Sequence, residues 1–162
     1  MVVSLAHPPL PQPIARLRSG FRDLIQRCPQ PVLAVRGDVS PFVRGLVAYD
    51  GSPRAEEALI IAAYLALRWD LALVVVTALE QGGAKPQAQA GAWEYLQSRG
   101  VTASYVIEQR SVAETILTTA ESYRADVIIM GGYGVRPELE IVLGSTVDHV
   151  LRASLMPVLI CR

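Results

Sequence analysis

Lysine is nearly absent from this chain of 162 residues, with Lys85 as its one example. Cysteine is scarce as well, limited to Cys28 and Cys161, and there are two histidines. No CxxC pair or Cys/His cluster can be drawn from so few, which argues against structural zinc and against a disulfide framework; reduced thiols and a cytoplasmic location are the expectation. The missing lysine excludes a Walker-type phosphate loop. The longest apolar run, Ala58–Leu67, has ten residues, about half of what a membrane-spanning helix needs. The opening MVVSLAHPPLPQP has neither a charged n-region nor a long apolar h-region, so it does not read as a secretory signal. Neither sign of charge dominates, with 15 basic and 15 acidic side chains. A broad polycationic nucleic-acid surface and an acidic tail are thereby excluded.

Apolar side chains are plentiful, at 51% of the chain, while charged ones make up 19%, below the usual ~25%. Such a chain can bury a sizeable core and still keep apolar surface for a partner or a self-interface. Proline is unevenly spread. Seven of the eleven prolines fall in the first 41 residues, and that stretch to Val43 carries five Arg against two acids. The remainder reverses the balance, with ten basic and thirteen acidic residues. A boundary near Asp38–Val43 follows, dividing the chain into 1–43 and 44–162. Residues 1–14 read as extended or disordered, because proline-rich sequence resists both helix and sheet.

From Arg44 onward strands alternate with helices. Gly45–Tyr49 is a short apolar strand, and Ser52-Pro53 reads as a helix N-cap followed by proline at the first helical position. The helix covers about Arg54–Arg68. Leu71–Ala78 is a buried strand, rich in β-branched residues, and 80–86 is a loop. A helix over Gln87–Arg99 is ended by Gly100, and Thr102–Ile107 is a strand. Ser111-Val112-Ala113-Glu114 fits a capping box opening a helix to about Tyr123. Asp126–Met130 is another buried strand, followed by a glycine-rich loop, a helix over Ser145–Ala153 and a last strand, Pro157–Cys161. Near-continuous apolar strands separated by helices imply a parallel sheet covered on both faces. The fold class is α/β: an open, doubly wound, five-stranded parallel sheet. The Ala58–Leu67 helix is apolar nearly all round, so it is expected to be buried on more than one side.

The sequence also repeats itself. Shifting the last helix and strand back by 126 positions places Ser145 on Ser19, Val150-Leu151 on Leu24-Ile25, Pro157-Val158-Leu159 on Pro31-Val32-Leu33 and Arg162 on Arg36. Residues 1–43 therefore read as a proline-rich tail plus the closing helix and strand of a first repeat, able to supply an extra strand or a swapped edge.

Two strand-end loops carry unusual chemistry. One is Tyr49-Asp50-Gly51-Ser52; the other starts at Met130-Gly131-Gly132-Tyr133-Gly134 and leads to Gly144-Ser145-Thr146. Glycines allow close backbone approach, a helix N-terminus with free N–H groups attracts anions, and Ser145 and Thr146 add hydroxyls. Asp50 suits a ribose hydroxyl or an adenine amine. Open α/β sheets bind ligands beyond the carboxyl ends of their strands, where the strand order reverses.

The spacing Gly131-x2-Gly134-x9-Gly144-Ser145, the opening LVAYDGS, the VIIMG strand and the closing PVLICR together resemble the universal stress protein family. The resemblance covers residues 44–162, and the repeat is similar to the tandem members of that family. It implies an adenine nucleotide, ATP or AMP, with Mg²⁺ accompanying ATP, acting in stress response or sensing. It also implies that Ala48, Tyr49 and Asp50 line the adenine and ribose end, with Ala78 touching the base through its backbone and Met130 and Gly131 close by. Gly134, Gly144, Ser145, Thr146 and Val147 would surround the phosphates, and a homodimer would form through the last strand. Tyr133 stands where the family often has His or Arg, with Arg136 as a substitute cation. Arg110 precedes the third helix where many members have Gly, either crowding the pocket or pointing out into a salt bridge.

No Ser/His/Asp or Cys/His set converges, and no HxE, HExxH or GxSxG is present. The chain is therefore read as a binding protein, not an enzyme, with slow ATP hydrolysis as the most activity expected. The alternative is a docking or dimerisation protein of the same fold that binds no nucleotide. Cys161 and the Trp69 and Trp93 rings are assigned to the core or an interface, and His149 to a helix face.

Overall fold

A computed structural model describes residues 1–5, 20–36, 40–79, 86–133 and 146–162. Its elements are β1 (Val2–Ser4), α1 (Gly20–Arg27), β2 (Val32–Val35), β3 (Arg44–Ala48), α2 (Pro53–Trp69), β4 (Ala72–Ala78), α3 (Pro86–Ser98), β5 (Ala103–Glu108), α4 (Val112–Ser122), β6 (Val127–Gly131), α5 (Thr146–Ala153) and β7 (Val158–Cys161). They build an α/β fold around one sheet in the order β1-β2-β7-β6-β3-β4-β5. The five strands β3–β7 are mutually parallel, as expected. Among the described residues the N-terminal part adds two further strands to these five. β1 runs parallel to β2, and β2 adds antiparallel to β7. Residues 2–4, expected to be extended or disordered, form an edge strand. The loop expected over 80–86 lies outside the described residues up to 85.

Alternation along the strands divides the core in two. Leu46, Val74, Val76, Ile128, Val158 and Ile160 face α1, α4 and α5. Val47, Leu73, Val75, Val127, Ile129 and Cys161 face α2 and α3. Strands buried on both faces have no polar side to show, which is why they read as continuous apolar runs.

The helix ends follow local chemistry. Ser52 is extended and its Oγ accepts the Ala55 N–H at 3.3 Å, with Pro53 at the first helical position. Gly100, at φ +71, ends α3 in the left-handed region, while Gly100 N–H and Val101 N–H donate to Gln97 and Leu96 carbonyls. The capping box expected at Ser111–Glu114 does not form. Ser111 makes no side-chain cap, and the Glu114 carboxylate pairs with Arg110 at 3.5 Å.

The N-terminal elements repeat the last ones in arrangement: β1–α1–β2 and β6–α5–β7 are both parallel strand pairs with a helix between. The antiparallel register pairs Leu33 with Leu159, residues separated by the same 126 positions as the sequence repeat. β2 and β7 thus meet about a local twofold axis. Arg36, just beyond β2, donates to the Leu151, Arg152 and Ser154 carbonyls that end α5, at 3.3, 2.8 and 3.5 Å. This interlock corrects one expectation. The last strand lies between β6 and β2, so its edge is not open to a second copy of the chain.

Cys161 is wholly buried on β7, and burial, with Glu57 as a smaller contribution, pushes its thiol up from 9.0 to about 12. Folding therefore holds this proton more tightly than the unfolded chain does. The contribution is fully present below pH 9.0 and is lost as pH rises toward about 12, since the unfolded chain sheds the proton first. Chemical denaturation in this window should show falling stability, with the fall reduced in Cys161→Val. Ellman titration of the native protein should find the half-exposed Cys28 fast and Cys161 silent until unfolding.

Candidate functional site

β3 is the first strand of the 44–162 segment in sequence and is flanked by β4 on one side and β6 on the other. Chain order therefore reverses at β3, and the crevice beyond the carboxyl ends of β3 and β6 is the switch point where ligands bind in open α/β sheets. Both loops singled out in the sequence leave from its two walls.

On the β3 side, the backbone of Tyr49 is held from both directions. Its N–H donates to the Val76 carbonyl at 2.9 Å, and its carbonyl accepts the Thr77 hydroxyl at 2.9 Å. The Tyr49 ring is buried in the core under α2 and α3, so it does not line the crevice with its face. Burial raises the Tyr49 phenol, with Glu56 and Asp50 adding to the shift. Asp50 follows, exposed, with Oδ1 accepting the Ser52 N–H at 2.9 Å. That turn fixes the carboxylate at the crevice while leaving its other oxygen without a described hydrogen bond. Ala48 is half-buried, and Ala78 ends β4 paired with Glu108.

On the β6 side, Met130 is 4% exposed and belongs to the core. Gly131 ends the strand against the first turn of α2. A Cβ on it would lie 2.9 Å from Arg54 Cβ and 3.1 Å from the Arg54 carbonyl carbon. Arg54 keeps its Nη1 buried with no hydrogen-bond partner. Thr146 opens α5 half-exposed, and Val147 is core, so Val147 could meet a ligand only through its backbone. Gly134, Arg136, Gly144 and Ser145 lie outside the described residues. The structure thus gathers Ala48, Asp50, Ala78, Met130 and Gly131 at neighbouring strand ends, and places the Tyr49 and Val147 side chains in the interior.

Tyr133 behaves differently from a phosphate-side cation. It is 1% exposed, its hydroxyl donates to Asp148 Oδ1 at 2.6 Å, and the Arg22 guanidinium stacks 4.6 Å over its ring. Arg22 and Asp148 are themselves 6% and 2% exposed. Sequence reasoning missed this buried polar cluster. A signal was available: Arg22 and Asp148 fall on equivalent positions of the repeat with opposite charge. Arg110 points away from the crevice into its surface pair with Glu114, each about half exposed, a pair that adds little to stability. Among the described residues no group of three or more His, Cys, Asp or Glu could hold a metal ion, and no helix is long and apolar enough to cross a membrane.

Residues 44–162 match the universal stress protein family. The universal stress protein Slr1230 of Synechocystis is 30% identical over 149 residues, which cover 90% of this chain and 52% of that protein. A universal stress protein from Archaeoglobus fulgidus superposes with TM-score 0.77 at 26% identity, over 93% of this chain and 57% of that one. Another from the same organism, solved in complex with dAMP, superposes with TM-score 0.58 at 23% identity, over 75% and 98%. The chain spans about half the length of Slr1230 and of the first Archaeoglobus protein. With a family match over residues 44–162 and a 30%-identical relative, the chain belongs to the universal stress protein family.

Proposed function

We propose that this chain is an adenine-nucleotide-binding regulatory module, taking ATP or AMP in the crevice between the Asp50 turn and the Gly131 strand end. The observation that carries this reading is the convergence of those two loops at the switch point of the sheet. The dAMP complex of the Archaeoglobus relative supports the ligand class. Asp50 would hold the ribose or the adenine amine, and the backbone at Ala78 and Gly131 would meet the base. Gly134, Gly144, Ser145, Thr146 and Val147 would surround the phosphates. A phosphate oxygen would also satisfy the unpartnered Arg54 Nη1, which costs stability while it stays unpaired. Mg²⁺ would arrive on the triphosphate, as it usually does. Binding, not turnover, is the activity in this reading, with the Asp50 carboxylate assigned to holding the ligand. We also read β1–α1–β2 as the closing elements of a first repeat, docked on the second as tandem domains would be.

Thermal-shift titration tests the reading. Nucleotide at ~100 Kd should add roughly 2.7 kcal/mol, which for a chain of this size raises Tm by about 5–10 °C. ATP, ADP and AMP should act and GTP should not, and Asp50→Ala should abolish the rise while lowering the unliganded Tm only slightly, through loss of the exposed Ser52 N–H bond. The absence of a shift at millimolar nucleotide would favour the second reading, a docking module with a vestigial crevice. The burial of Tyr133, which leaves the loop without the family's usual cation at that position, favours that reading.

A further inference from the structure

The leading N–H groups of α2 can be accounted for one by one. Ser52 N–H donates to Asp50 Oδ1 at 2.9 Å, Pro53 has none to give, and Ala55 N–H goes to Ser52 Oγ at 3.3 Å. Glu56 N–H already reaches the Ser52 carbonyl at 2.9 Å. The Arg54 N–H is left over, with no described hydrogen bond. The same residue carries a second open donor, because its Nη1 is buried and unpartnered.

Acids are near in sequence, since Asp50, Glu56 and Glu57 flank Arg54 and are all exposed. None of them satisfies that nitrogen. A buried donor without a partner costs stability, and a surface arginine escapes that cost by turning to water or to a carboxylate. Arg54 is rooted where it stands. Its Cβ and carbonyl carbon lie against Gly131 at the end of β6, 2.9 and 3.1 Å from where a Cβ on that glycine would sit. A guanidinium stays within one side-chain length of its Cβ, so this cation stays beside the ends of β3 and β6.

Resting on the nucleotide reading above, we propose that Arg54 recognises the first phosphate of the ligand, the one attached to the ribose, and so makes a nucleoside 5′-monophosphate the smallest ligand that the crevice holds firmly. Reach decides which phosphate it is. The Asp50 turn and the Arg54 turn are joined through Ser52, so a ribose held at Asp50 brings its first phosphate beside Arg54. Later phosphates run toward Thr146 and Val147 at the start of α5. α5 packs on the sheet face of Leu46 and Ile128, whereas α2 packs on the face of Val47 and Ile129. Each phosphate beyond the first therefore moves across the sheet end and away from Arg54. The chemistry fits one phosphate group: a planar guanidinium matches phosphate oxygens, and the main-chain N–H of the same residue adds a neutral donor.

Calorimetric titration of the full chain with adenosine, AMP and ATP tests this. Wild type should bind AMP and ATP, and adenosine more weakly by about tenfold or more. Arg54→Met keeps the stem of the side chain and removes its charge. It should weaken AMP and ATP by the same factor, about ten- to a hundredfold, and leave adenosine unchanged. Its unliganded Tm should equal or exceed that of wild type, because a desolvated donor has gone. Arg54→Lys keeps the charge without the planar fork, and its affinities should fall between the two. AMP and ATP affinities untouched in Arg54→Met overturn the proposal, as does a loss confined to ATP, which would put Arg54 on a later phosphate. An unliganded Tm lowered by several degrees overturns it too, since Arg54 would then serve the fold. A wild type that binds adenosine as tightly as AMP removes this inference alone; one that binds none of the three removes the nucleotide reading and this inference with it.

Discussion

Asp148→Ala is expected to lower the stability of the folded chain by about 2 kcal/mol, a fall in Tm of about 4–8 °C for a chain of this size. Asp148 lies on α5 at 2% exposure and accepts the Tyr133 hydroxyl at 2.6 Å. The same cluster buries the Arg22 guanidinium over the Tyr133 ring. Alanine removes a buried carboxylate and deprives the buried Tyr133 hydroxyl of its short acceptor. Asp148→Asn keeps an acceptor and should cost less than alanine; Tyr133→Phe keeps the ring under Arg22 and should cost about 1–2 kcal/mol. Urea denaturation of the three variants measures this directly. Loss below 0.5 kcal/mol in Asp148→Ala would mean that water or rearranged neighbours replace the carboxylate, and that the cluster does not hold the fold.

The consequence reaches the crevice. Tyr133 is the last described residue before the glycine-rich segment and Asp148 comes just after it, so their hydrogen bond joins the two ends of residues 134–145. α1 supplies the third member, Arg22. The N-terminal elements are therefore tied to the same segment that would receive phosphates. If nucleotide binds there, Tyr133→Phe should reduce the ligand-induced rise in Tm as well as the unliganded Tm, whereas Arg110→Ala, remote in its surface pair with Glu114, should change neither.

The strands and helices of residues 44–162 were legible because their signals are local. β-branched apolar runs, Ser52-Pro53 and Gly100 fix elements without help from distant residues, and their boundaries moved by no more than about two residues. The alternation Leu46/Val47 and Ile128/Ile129 was legible only as apolar content, since both sides of a doubly covered strand are greasy and the pattern does not say which helix each side meets. What failed depends on distance in sequence. Glu114 had two partners available, the Ser111 cap and Arg110, and it pairs with Arg110. Residues 1–14 read as extended or disordered because of their prolines; β1 lies ahead of the first of these and pairs with β2, with the Leu33 N–H donating to the Met1 carbonyl at 2.8 Å. The last strand was expected to meet a second copy; β2 of the same chain pairs along that edge. At the site, Asp50 and Gly131 were found by motif spacing. Tyr133 was noted only as standing where the family often has a cation; spacing places a backbone and says nothing about which way a side chain turns.

Gly131→Ala separates two roles that the motif merges. A glycine at the end of β6 can serve a ligand by letting the backbone approach it, or serve the fold by letting another element approach. The added methyl would sit 2.9 Å from Arg54 Cβ, 3.1 Å from the Arg54 carbonyl carbon and 3.3 Å from the Ala55 nitrogen. None of these is the far end of a flexible side chain, so the first turn of α2 would have to move. The expected cost is about 1–3 kcal/mol in the unliganded protein. The shift would also carry the Ser52 cap, whose Oγ holds the Ala55 N–H, and through it the Asp50 turn that the Ser52 N–H closes. Stability without ligand and nucleotide affinity should therefore fall together. An unliganded Tm equal to wild type with binding lost would assign Gly131 to the ligand alone. A lowered Tm with binding retained would show that α2 can shift without disturbing Asp50, and the two walls of the crevice would then be mechanically independent.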